Sequence, residues 1–195
     1  MAAGEHFSCP SIFLRVTWHA EKVQRTGSAA FVRSPRRILY AIAFFLVFAL
    51  TVSELGLVSQ QLQRGGNAYE NYPGKEFKHD LGILLFSCIG TLLYLIGHFY
   101  VSFGIIVFFT FVFAIFWGVG AGVMFAVTPF KGTNCGSDPS TFPEAWQFYA
   151  SQCEIVVSME GVAWALWGLM TLMLCGMIYH ACEFRPRHNV TFYGA

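Results

Sequence analysis

The chain has 195 residues, of which 55% are hydrophobic and only 12% are charged, and its formal net charge is +1. A soluble domain carries about 25% charged residues, so this composition excludes an ordinary water-soluble fold and indicates a protein whose solvent is lipid. The small net charge also gives no electrostatic basis for binding nucleic acid.

Residues 1–35 are predicted to form a cytoplasmic tail. They lack the ordered basic start, short apolar core and small-residue cleavage site of a secretory signal peptide. Within the tail, residues 12–25 place apolar side chains on one helical face and basic side chains on another. A basic amphipathic helix ahead of a membrane span is typical of a segment lying along the cytoplasmic leaflet. A disordered, solvated tail is the alternative.

Four stretches of the sequence are long and apolar enough to cross a bilayer, which requires about 20 residues of helix. The second and third almost run together, and one helix over both would be roughly 70 Å long, more than twice the membrane core. A tight turn at residues 98–102 is therefore predicted. The expected fold is an all-α integral membrane bundle over residues 36–182. Its predicted spans are residues 38–62, 81–100, 103–128 and 155–180.

The positions of Lys and Arg orient the predicted bundle. Six precede the first predicted span and two lie in the C-terminal tail (residues 183–195), against four in the two segments on the opposite side. The positive-inside rule therefore predicts an M-shaped topology with both tails in the cytoplasm. The cluster of Arg33, Arg36 and Arg37 directly before the first span supports this orientation.

The six cysteines divide by predicted location, and one of them, Cys9, lies in the N-terminal tail. Cys135 and Cys153 fall in the second outer segment, on the oxidising side, and are predicted to form a disulfide; two free thiols are the alternative. Cys182, just past the cytoplasmic end of the fourth span, is a candidate palmitoylation site. Cys88 and Cys175 lie inside spans and are predicted to be small packing residues.

Small residues mark two of the spans. Gly118 and Gly122 have GxxxG spacing in the third span, and Gly161 precedes Ala165 at the same spacing in the fourth. Small residues let helix backbones approach closely in lipid. These glycines are predicted to pack helices together, either within one chain or between two copies.

Glu54 and Glu160 are the acidic residues well inside the predicted spans. A charged side chain at the bilayer centre costs about 2.5–3.5 kcal/mol on the insertion scale, so both carboxyls are expected to face the bundle interior. Counted from the span ends, their depths nearly match. Two interpretations stay open: a shared proton or cation site, and a pair of polar anchors that tie spans one and four together.

Sequence motifs for catalysis are missing. The chain has no CxxC, HExxH, GxSxG or Walker sequence, and its histidines fall at span ends or in the tails. The sequence therefore predicts neither an enzyme nor a bound cofactor or metal.

Several features together resemble the MARVEL family, in particular its fungal branch. They are Phe116-Trp117 followed by small residues, the cysteine-bearing loop, and Trp164 and Trp167 early in the fourth span. The resemblance covers about residues 36–182. It implies a non-enzymatic membrane organiser of the plasma membrane or secretory pathway, acting in lipid microdomains, membrane apposition or vesicle trafficking. Its partners would be lipids, sterol included, and other membrane proteins or itself.

Two other functional classes fit the same sequence. One is a small transporter or channel component that uses Glu54 and Glu160, and the other is an accessory subunit of a larger membrane complex.

Overall fold

A computed structural model describes the backbone of residues 35–183 and the side chains of residues 38–179. The described part is all-helical and contains no strand. Four of its helices are long and apolar enough to span a membrane, which confirms the predicted fold. The amphipathic segment at residues 12–25 and the side chain of Cys182 lie outside the described residues. The helices are α1 (Pro35–Gly65), α2 (Lys75–Gly97), α3 (Phe103–Val127), the four-residue α4 (Glu144–Gln147) and α5 (Cys153–Glu183).

The predicted turn between the second and third spans is confirmed, because α2 ends at Gly97 and α3 begins at Phe103. The turn is closed by a hydrogen bond from the Tyr100 amide to the Gly97 carbonyl, 2.9 Å long. We call this the turn end of the bundle. The opposite end, which carries residues 66–74 and 128–152, is the loop end.

The start of α2 differs from the prediction. The helix begins at Lys75, six residues before the predicted start of the span, so residues 75–80 are helical rather than part of a polar link. A hydropathy window excludes these residues because five of the six are Lys, Glu, His or Asp. Phe77 nevertheless lies on the buried face, and its side chain is 1% exposed. The first two turns of α2 are therefore amphipathic.

The four long helices form a ring in which each packs on two neighbours. α1 contacts α2 and α5, and α3 contacts the same two helices from the other side. Their buried residues recur at intervals of three and four, as expected for a helix with one face in a core. On α1 this buried stripe consists of Val47, Thr51, Glu54, Val58 and Gln61, and on α5 it includes Met159, Ala163, Leu166, Met170, Met173 and Met177.

Aromatic side chains close the loop end. Trp146 makes edge-to-face contacts with Phe77 and Phe130, at centroid distances of 5.3 and 5.2 Å. The Tyr149 hydroxyl donates a 3.0 Å hydrogen bond to the Asn71 carbonyl and so joins the two loop segments. Burial raises the pKa of the Tyr149 hydroxyl, and the nearby hydroxyl of Tyr72 adds to the shift.

Cys135 and Cys153 form the predicted disulfide, with an S–S distance of 1.97 Å and a Cα–Cα distance of 5.3 Å. The bond ties the segment that follows α3 to the first residue of α5. The long loop segment is therefore anchored to the bundle at both ends.

Candidate functional site

Ring contacts at the turn end fix the register of α1 against α2. Phe44 stacks on His98 at a centroid distance of 4.4 Å and lies 6.3 Å from the ring of Tyr94. The two helices are antiparallel and rise equally per residue, so a step forward on α1 matches a step back on α2. Phe44 lies between the levels of Tyr94 and His98, so Glu54, ten residues later, lies between the levels of Leu84 and Cys88.

This register puts Glu54 between Asp80 and Cys88, which lie one helical turn to either side of Leu84. The carboxyls of Glu54 and Asp80 are close enough to interact electrostatically. The Cys88 thiol also interacts electrostatically with Glu54. Asp80 and the Cys88 thiol thus lie along the buried face of α2 that packs near Glu54.

The carboxyl pair is fully enclosed, since Glu54 is 0% exposed and Asp80 is 1% exposed. None of the four carboxyl oxygens has a hydrogen-bond partner among the described residues. Gln61 lies two turns beyond Glu54 on the same buried stripe of α1, and it is also 0% exposed. Neither its amide nitrogen nor its amide oxygen has a partner among the residues described.

The glycine at position 120 explains why Asp80 is so deeply buried. A Cβ atom at Gly120 would lie 2.7 Å from Leu84 Cδ2 and 3.8 Å from Asp80 Oδ1. Because glycine has no Cβ, the backbone of α3 lies directly against this face of α2. The close approach covers the Asp80 carboxyl with backbone rather than with a polar side chain.

Other polar side chains in the interior are hydrogen-bonded. Trp117 Nε1 donates to Thr91 Oγ1 at 3.1 Å, linking α3 to α2. One turn nearer the turn end, the hydroxyls of Tyr94 and Thr110 are 2.7 Å apart. Unpaired polar atoms are therefore concentrated around Glu54, Asp80 and Gln61 and are not a general property of this core.

Glu160 lies at nearly the depth of Glu54 but on a different face of its helix. A Cβ atom at Gly176 would lie 3.4 Å from the Tyr40 hydroxyl, which sets the register of α1 against α5. Because α1 and α5 run antiparallel, Glu54, fourteen residues after Tyr40, is level with Val162, fourteen residues before Gly176. The buried stripe of α5 runs through Met159 and Ala163, and Glu160 is half-buried beside it. The structure therefore pairs Glu54 with Asp80 instead of Glu160.

The predicted packing glycines also occupy different environments. A Cβ atom at Gly118 would lie 2.8 Å from the Trp167 ring, so this residue permits close packing of α3 on α5. Among the described residues, Gly122 and Gly161 have nothing within 4 Å of that position and make no close helix contact. Gly120, which the GxxxG pattern passes over, is the second close-packing glycine of α3.

A separate feature lies on the outside of the bundle. An apolar groove of about 470 Å³ runs between α1 and α2 near the turn end. It opens onto the surface that the membrane would cover, and at its edge Phe99 and Tyr100 are 69% and 88% exposed. Its lining residues are Phe48, Leu92, Leu95, Ile96, Phe99 and Tyr100.

Within the described residues, no group of three or more His, Cys, Asp or Glu side chains could hold a metal ion. No family model, curated protein or solved structure matches this chain significantly.

Proposed function

We propose that the protein is a non-enzymatic membrane organiser that holds membrane lipid, sterol in particular, in the groove at the turn end of its bundle. The groove is the observation that supports this function. Its volume of about 470 Å³ falls in the range of about 300–1,000 Å³ that small-molecule sites occupy. Its lining is apolar and aromatic, as in most such sites.

The chemistry of the lining favours a sterol over an ordinary acyl chain. Phe48 and Phe99 offer flat ring faces, and the rigid ring system of a sterol loses less conformational entropy on binding than a flexible chain does. Tyr100 lies in the turn between α2 and α3, where a membrane-water interface is expected, and amphipathic rings are favoured at that depth. Its hydroxyl is a suitable hydrogen-bond partner for the single hydroxyl of a sterol.

The resemblance to the MARVEL family supports the same proposal and extends it. With both tails in the cytoplasm, the groove would open to the cytoplasmic leaflet of the plasma membrane or of a secretory membrane. Gly122 and Gly161 would be available to pack against another membrane protein or a second copy, because a Cβ atom at either position would meet no described atom within 4 Å.

A photoreactive sterol reconstituted with the protein in vesicles tests the proposal. Ile96→Trp fills the groove, so we expect it to lower sterol crosslinking several-fold. The matched control is Leu93→Trp, because Leu93 is 65% exposed on the same helix but does not line the groove. Equal labelling of the two variants, or labelling that excess unlabelled sterol does not compete away, would refute sterol binding in the groove.

A small transporter or channel component is the second candidate function. It is supported by the buried Glu54–Asp80 pair, which takes the place of the Glu54–Glu160 pair expected from sequence. A flux assay in proteoliposomes separates the two functions. An organiser leaves an imposed proton or cation gradient intact, whereas a transporter dissipates it and loses this activity in Glu54→Gln.

A further inference from the structure

We infer that Glu54 and Asp80, together with Gln61, form a proton-binding site inside the bundle, in which the carboxyl pair takes up and releases one proton. The inference does not depend on the sterol groove, which lies on the outer surface near the opposite end of α2.

Two ionised carboxylates are not stable in this position. Removing one carboxylate from water costs several kcal/mol even after the protein relaxes, and two that share a site repel each other as well. No cation offsets this charge, because the only basic side chain in the buried polar set of the described residues is His98. His98 lies at the turn end, about ten residues or roughly 15 Å from the level of Glu54. The pair therefore holds at least one proton.

On α1, the buried stripe that carries Glu54 also carries Gln61, and on α2 the Cys88 thiol interacts electrostatically with Glu54. The buried faces of α3 and α5 present no titratable side chain at this level; they present Gly120, Ala121, Met159 and Ala163. Glu160 is half-buried on α5 outside that face. The two carboxyls are thus each other's main electrostatic partner.

Gln61 provides independent support for proton binding by the Glu54–Asp80 pair. Its side chain is completely buried on the stripe that carries Glu54, and its amide donor and acceptor are both unpartnered. An apolar side chain would pack at this position without that cost, because burying an unpaired amide costs about 1–3 kcal/mol. An amide can donate to an ionised carboxylate and accept from a protonated one, so Gln61 suits a pair that alternates between these states.

The site lies towards the loop end of the bundle. Asp80 is five residues into α2, about 8 Å along the helix axis from its start, and Gln61 is four residues before the end of α1. The shortest path for proton exchange with water therefore runs through the loop end. Uptake of one proton takes the carboxyl pair from a net charge of −1 to neutral. Release of that proton restores the charge of −1, and no other group changes its protonation state.

Infrared difference spectroscopy of the full chain in vesicles, titrated over pH, tests the site directly. A protonated carboxyl has a C=O stretching band that a carboxylate lacks. We expect the wild-type protein to lose such a band on titration, and Glu54→Gln or Asp80→Asn to move that titration to lower pH, because the remaining carboxyl is no longer opposed by a second carboxyl. Glu160→Gln is the matched control and should leave the midpoint in place. The same midpoint in all three variants and the wild type, or the same shift in all three variants, would overturn the inference.

Two further measurements make the test sharper. Gln61→Leu should move the titration midpoint to higher pH because it replaces a buried polar amide with an apolar side chain and so disfavours the carboxylate, whereas Gln63→Leu, at an exposed position of α1, should not. Replacing sodium by choline should leave the midpoint unchanged. A midpoint that follows the sodium concentration would mean that the site binds a metal cation, which contradicts a proton site. Sterol crosslinking should be the same in Glu54→Gln as in the wild type, so the two proposals fail separately.

Discussion

At the scale of single residues, the interior of the bundle holds two kinds of polar side chain. One kind is paired across helices, as in the Trp117–Thr91 bond. The other kind, formed by Glu54, Asp80 and Gln61, is enclosed without partners. Paired groups help specify one packing arrangement of the core. Unpaired buried groups oppose folding, so the presence of three such side chains in this core points to a function.

The Trp117–Thr91 bond gives the first prediction. Thr91→Val keeps the shape of the side chain and removes the acceptor, leaving the indole N–H buried and unpaired. We expect a loss of about 1 kcal/mol in the free energy of unfolding, the scale of polar interactions between membrane helices. Unfolding in mixed detergent micelles measures this loss. Thr91→Ser retains the hydroxyl and should recover part of the stability; if it is no more stable than Thr91→Val, the bond contributes nothing.

The sequence identifies Glu54 as a site residue but does not reveal its partner. Glu54 stands alone in a long apolar run, so its burial follows from the cost of exposing a carboxyl to lipid. Asp80 is preceded by charged residues and looks like part of a polar link. Its burial depends on the helix starting at Lys75 and on the close approach of α3 at Gly120. Both are tertiary effects, although Phe77, Leu81 and Leu84 do carry the helical spacing.

At the scale of helices, the spans and the tight turn were predictable because lipid requires long apolar helices and a helix of 47 residues does not fit a bilayer. Which glycines pack was not predictable from spacing. GxxxG identifies Gly118 and Gly122 equally, but of these two only Gly118 lies close against another helix in the described part of the chain. The face that a helix turns to its neighbour depends on its rotation in the ring, and a motif of one span does not contain that information.

Gly120 gives the second prediction. In Gly120→Ala, the new Cβ would lie 2.7 Å from a methyl carbon of Leu84, which is itself 0% exposed and has little room to move. Overpacking of this kind costs about 1–3 kcal/mol. The matched control is Gly122→Ala, which introduces the same side chain into open space on the same helix. We expect Gly120→Ala to melt at a lower temperature than Gly122→Ala, and equal melting would contradict the tight contact between α2 and α3.

The disulfide gives the third prediction. Cys135 and Cys153 are 18 residues apart, and the chain-entropy model assigns about 3 kcal/mol to a crosslink that closes a loop of this size. The double variant Cys135→Ser/Cys153→Ser should be destabilised by about that amount, and reductant should have the same effect on the wild type. Cys175→Ser, at an exposed free cysteine of α5, is the control and should change little. Alkylation of both Cys135 and Cys153 without reductant would contradict the bond.

At the scale of the whole molecule, the two candidate sites lie at opposite ends of the same helix pair. The groove opens outward at the turn end of α1 and α2, and the carboxyl pair is enclosed nearer the loop end. If the tails are cytoplasmic, the groove samples the cytoplasmic leaflet and the carboxyls exchange protons with the opposite compartment. The orientation of the chain therefore determines which leaflet the groove contacts and which compartment exchanges protons with the carboxyl pair.

The fourth prediction concerns that orientation. Asn189-Val190-Thr191 matches the glycosylation sequon but lies in the predicted cytoplasmic tail, outside the described residues. We expect it to remain unmodified in cells that glycosylate membrane proteins, because the transferase acts only on the lumenal side. Pro139→Asn creates a second sequon with Thr141 at an exposed position of the loop end, in the segment that the disulfide anchors. This variant should gain one glycan, seen as a shift in gel mobility that a glycosidase reverses. Glycosylation at Asn189 together with an unmodified loop end would show that the topology is the inverse of the predicted one, because the loop end and the tails lie on opposite sides of a four-span bundle. The groove would then face the outer leaflet, and the carboxyl pair would exchange protons with the cytoplasm.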